Sequence, residues 1–85
     1  MTAIKRLQQI AQQPCTTQVL LAQGILWAEA SCRVDGTMAM ALRNSSEDSA
    51  DLLLSQIAQD GIQVMNDVPR WLNANRDTVL ATLVD

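Results

Sequence analysis

The residues able to do chemistry in this 85-residue chain are Lys5, Cys15, Cys32 and nine carboxylates, because the chain has no histidine, tyrosine or phenylalanine. A thiol nucleophile needs a base beside it, and the usual one is missing. The spacing of Cys15 and Cys32 fits neither a CxxC pair nor a zinc site, and without histidine only carboxylates remain to complete a metal centre. Both cysteines are therefore expected as buried free thiols, with a disulfide or redox role as the alternative. Of the acids, only Glu47, Asp48 and Asp51 cluster, and the positive end of a helix dipole accounts for them. Gly24, Gly36 and Gly61 stand too far apart to form a phosphate loop. The expectation is a protein that is not an enzyme and carries no cofactor and no metal.

Composition sets the frame around these residues. Hydrophobic residues make up 48% of the chain and charged residues 18%, a globular balance that predicts one domain over residues 1–85. The net charge is −3, and the six cations (Lys5, Arg6, Arg33, Arg43, Arg70, Arg76) are scattered rather than gathered in a stripe. Nucleic acid is accordingly not an expected partner. The longest apolar stretch, Val19 to Ala30, is broken by Gln23, Gly24 and Glu29 and falls short of the ~20 residues of a membrane span. The first nine residues lack the apolar core of a signal peptide, so a soluble cytoplasmic protein is expected.

Four segments carry helical periodicity. In Thr2–Gln13, Ile4, Leu7, Ile10 and Ala11 share a face, Thr2 can cap, and Pro14 ends the run. Thr16–Arg33 is apolar around most of its girth, which places it at the centre of a bundle or shares it with a second subunit. Gly24 within it marks a close helix approach or a break. The third segment starts at Ser45 or Ser46 and runs to about Asn66, or stops at Asp60-Gly61 and leaves Ile62–Met65 as a strand. The fourth starts at Asp67-Val68-Pro69, with a kink or fresh start near Asn75 or Asp77. Leu7–Gln12 and Leu54–Gln59 match at five of six positions, a coincidence of common helix formers.

Asp35-Gly36 allows two architectures. As a hairpin turn it pairs residues 28–34 with 37–42. Alternatively Gly36 ends the second helix in the left-handed region and Thr37 caps a short helix to Arg43. The favoured fold is mainly α, a small bundle of four helices plus a short element at 37–43. The alternative is α+β, with a hairpin at 28–43 and a short strand at 62–66.

Two stretches resemble known units. Ile57-Ala58, Gly61-Ile62 and Val68-Pro69-Arg70-Trp71-Leu72 resemble a helix-turn-helix DNA-binding unit, which implies that Arg70, Asn73, Asn75 and Arg76 meet bases and phosphate. Asp48-Ser49 before an amphipathic helix, with Gly61-Ile62 and Asp77-Thr78-Val79 later, is similar to an acyl carrier protein, which implies a prosthetic arm on Ser49. Outside that resemblance, Ser49 reads as a solvent-facing first-turn serine.

The leading functional expectation is a small protein–protein interaction module: a regulator, adaptor, chaperone-like protein or inhibitor that buries an apolar helical face. Its partner is another protein, its own copy included, so a homodimer is expected. The candidate contacts are Trp27, Met38, Met40 and Trp71, because large rings and adaptable methionines supply contact area. The alternative is a degenerate helix-turn-helix transcription regulator that uses Arg70, Asn73, Asn75 and Arg76.

Overall fold

The computed structural model describes residues 2–14 and 16–83. In chain order they form α1 (Ala3–Ala11), α2 (Thr17–Ala30), α3 (Gly36–Asn44), α4 (Glu47–Gln59), a 3-10 turn (Met65–Asp67), α5 (Val68–Ala74) and α6 (Arg76–Leu83). The protein is mainly α-helical, and no strand occurs among the described residues. The element at 37–43 is a full helix, and the fourth segment divides at Asn75, so six α-helices replace the expected four plus a short element. The only sheet-like contact among these residues is an isolated bridge between Thr2 and Ser46.

Local capping explains where the helices begin. The Thr2 and Thr16 hydroxyls accept hydrogen bonds from the Lys5 and Val19 amides and start α1 and α2. Asp35 accepts from the Met38 amide at 2.8 Å and starts α3, which overrules the hairpin at 28–43. Gly36 is the first residue of α3, not the left-handed terminator of α2. That terminator is Cys32, with φ +58°, four residues earlier.

Helix α4 stops at Asp60-Gly61, where Gly61 (φ +82°) reverses the chain and its amide bonds to the Ala58 carbonyl. The strand expected at 62–66 does not form, because the chain runs straight into the 3-10 turn and α5. Pro69 sits in the first turn of α5, where a missing N–H costs nothing.

The apolar girth of α2 is covered within the fold. It packs against α1, α4, α5 and the 3-10 turn, burying Val19, Leu21, Ala22, Gly24, Ile25 and Ala28. Leu7, Ile10, Met38, Leu42, Leu53, Ile57, Leu72 and Val79 join the same cluster from the surrounding helices. Burying each such side chain stabilises the fold by ~1.5–3 kcal/mol, so this central packing outweighs every surface contact described below.

Candidate functional site

The sequence candidates part company in three dimensions. Met38 is wholly buried in the core, while Met40 is 61% exposed. Two steps along a helix turn a side chain by about 200°, so α3 separates two methionines that a strand would have aligned. Met38 is therefore not available to a partner in this fold. Trp27 is half-buried, and the Arg33 guanidinium lies over its ring at 4.2 Å from the centroid.

Three of the four residues in the DNA-binding reading are committed to the fold. Asn73 donates to the Arg33 and Pro69 carbonyls, Asn75 donates to the Trp71 carbonyl, and Arg76 pairs with Asp35. Of the four, only Arg70 makes no side-chain hydrogen bond or ion pair with another described residue. The helix that carries it spans seven residues and is reached through a 3-10 turn rather than a tight helix-turn-helix step. Ser49 is 3% exposed, which corrects its expected solvent-facing position and leaves no room for a prosthetic arm. Cys32 is exposed rather than buried, and Cys15 lies outside the described residues.

One groove does gather residues singled out by the sequence. Ile62, Asp67, Arg70, Trp71, Ala74 and Asn75 line a depression of about 290 Å³ beside α5. Its formation follows from the chain reversal at Gly61. The reversal brings the Trp71 indole N–H to the Asp60 carboxylate at 2.6 Å, while the Asn75 amide holds the Trp71 carbonyl. The ring is thus held at its N–H, with Trp71 7% exposed and Ile62 and Ala74 extending its apolar surface. Asp67 and Arg70 supply charge at the groove, and the Asp67 side chain makes no cap bond to α5.

Sequence reading missed Ile62, Asp67 and Ala74 as groove residues and Asp60 as the partner of the Trp71 indole. They belong to a helix end, a loop and a cap, where periodicity carries no signal. A second apolar groove of about 300 Å³ lies between α2 and α4 over Leu21, Leu54 and Ala58. No helix among the described residues is long and apolar enough to cross a membrane. No family model matches the chain, and no curated protein or solved structure matches it either.

Proposed function

We propose that this chain is a small protein-interaction module whose Trp71 groove receives one apolar side chain of a partner protein. The observation that carries this reading is the fixed indole at an apolar groove whose volume suits a side chain or two. Binding energy at protein interfaces concentrates where a rigid aromatic group meets an inserted apolar anchor. A preformed site spends little conformational entropy on closing around its ligand.

Self-association has less to recommend it. The apolar faces of α2 that called for a second subunit are covered by α1, α4 and α5. Among the described residues, the large apolar side chains left exposed are Met40 on α3, Leu52 on α4 and Val64 in the loop before the 3-10 turn, so no one element gathers them.

Selection of displayed random peptides on the native protein tests the proposal, with counter-selection on Ala74→Arg. Ala74 is exposed at the end of α5, so the arginine fills the groove without entering the core. Enriched peptides that share one apolar anchor and fail to bind Ala74→Arg support the reading. Peptides that bind both proteins equally, or no enrichment, overturn it.

A further inference from the structure

The geometry points to the chemistry of the partner at this groove: a segment of another protein that carries an apolar side chain between one basic and one acidic residue. The inference rests on the groove being a binding site. Asp67 and Arg70 both line it, and neither forms an ion pair with another described residue. They are three positions apart, yet they are not paired with each other. Ile62, Trp71 and Ala74 form the apolar part of the same lining. Filling that apolar space expels water, lowers the local dielectric and strengthens the interaction of each of the two charges with whatever faces it. A neutral partner leaves both charges without a counter-ion, and a partner of one sign satisfies one charge and repels the other. A partner with both signs satisfies both.

A second copy of the chain meets this requirement poorly. Of its exposed apolar residues, Met40 has Arg43 on its helix but no acid, and Leu52 has Asp48 and Asp51 but no base. Val64 has only Asp67 within three residues. The charges beside Met40 and Leu52 are moreover already paired within the chain, Arg43 with Glu29 and Asp51 with Arg6.

Three blocked pentapeptides test the inference: Lys-Gly-Leu-Gly-Glu, Glu-Gly-Leu-Gly-Glu and Lys-Gly-Leu-Gly-Lys. Each is titrated at low ionic strength while the backbone amide resonances of residues 60–76 are followed. With the native protein the mixed-charge peptide should bind about three- to tenfold more tightly than either single-sign peptide. Arg70→Glu, at an exposed position, should make the doubly basic peptide the tightest of the three. Asp67→Lys should do the same for the doubly acidic one. Lys5→Glu changes net charge as much as Arg70→Glu but lies outside the groove, and it should leave the ranking unchanged.

Peptides that bind in the groove with one affinity whatever their charge overturn the charge rule and leave the groove reading standing. Absence of shifts with every peptide, or shifts that survive Ala74→Arg, overturns the groove reading and the inference with it. A dimer seen by light scattering and abolished by Ala74→Arg puts a second copy in the groove and also overturns the inference.

Discussion

Gly24 of α2 faces Val68 so closely that a Cβ built on the glycine would stand 2.7 Å from the valine Cβ and 2.9 Å from the Met65 carbonyl oxygen. Neither neighbour is the far end of a flexible side chain, so an added methyl must push the 3-10 turn away from α2. Alanine would gain ~1 kcal/mol in helix propensity, while overpacking of this kind costs ~1–3 kcal/mol. Gly24→Ala should therefore destabilise the protein by about 1–2 kcal/mol in urea denaturation, since two backbone-anchored contacts must be relieved together. Gly36→Ala is the control. A Cβ there meets nothing within 4 Å, and the change should be neutral or slightly stabilising.

Helices α2 and α4 end in related ways on different residues. At the end of α2 the Cys32 amide bonds to the Glu29 carbonyl and the Arg33 amide to the Ala28 carbonyl, with Cys32 in the left-handed region. This double closure usually has glycine at the left-handed position, as α4 has Gly61. A side chain there crowds the following carbonyl and costs ~1–2 kcal/mol. Cys32→Gly should stabilise the protein by about 0.5–1 kcal/mol once glycine's greater unfolded-state entropy is deducted. An unchanged or lowered melting temperature would count against this account of the helix end.

That helix end also shows which features of the fold a sequence displays. Helix α1 was legible because Thr2, Leu7 and Ile10 act through neighbours in the chain: a cap and two core residues at helical spacing. The burial of α2 was legible from its apolar girth. The left-handed residue was not, since the search for one settles on glycine and Gly36 lay close by. Gly36 instead opens α3 behind the Asp35 cap. The groove was harder still. Trp71 was visible as a large ring, but the Asp60 carboxylate that fixes it stands 11 positions away, on the far side of a chain reversal. Ile62 and Ala74 look like loop and helix-end residues until that reversal brings them together.

The Asp60–Trp71 hydrogen bond gives a third prediction. The indole N–H of a nearly buried ring loses its partner in Asp60→Ala, and an unmet donor costs ~1–3 kcal/mol. Because Asp60 itself is exposed, water can partly replace it, and the expected loss lies at the lower end of that range. Asp60→Asn keeps an acceptor oxygen and should lose less than half as much. Trp27→Phe leaves Trp71 as the sole indole, and in that background Asp60→Ala should shift the emission to the red. An emission spectrum unchanged by Asp60→Ala would mean that the bond does not hold the ring.

Asp35 links α3 to α6 and makes part of the stability depend on pH. Its carboxylate accepts a hydrogen bond from the Arg76 guanidinium and another from the Met38 amide, and these hold its pKa below the ordinary 3.8. A lowered folded-state pKa means that the unfolded chain binds the proton more readily than the folded one. The stabilisation is thus complete above the ordinary value and is lost as pH falls below it towards the folded-state value. Asp35→Asn isolates the ion pair, because asparagine can still cap α3. The variant should be less stable than the parent near neutral pH, and the two should converge in strong acid, where Asp35 of the parent is also protonated. Other carboxylates titrate in both proteins and cancel in the comparison. Arg76→Gln should reproduce the convergence, and a gap that persists unchanged into acid would show that the ion pair is not its source.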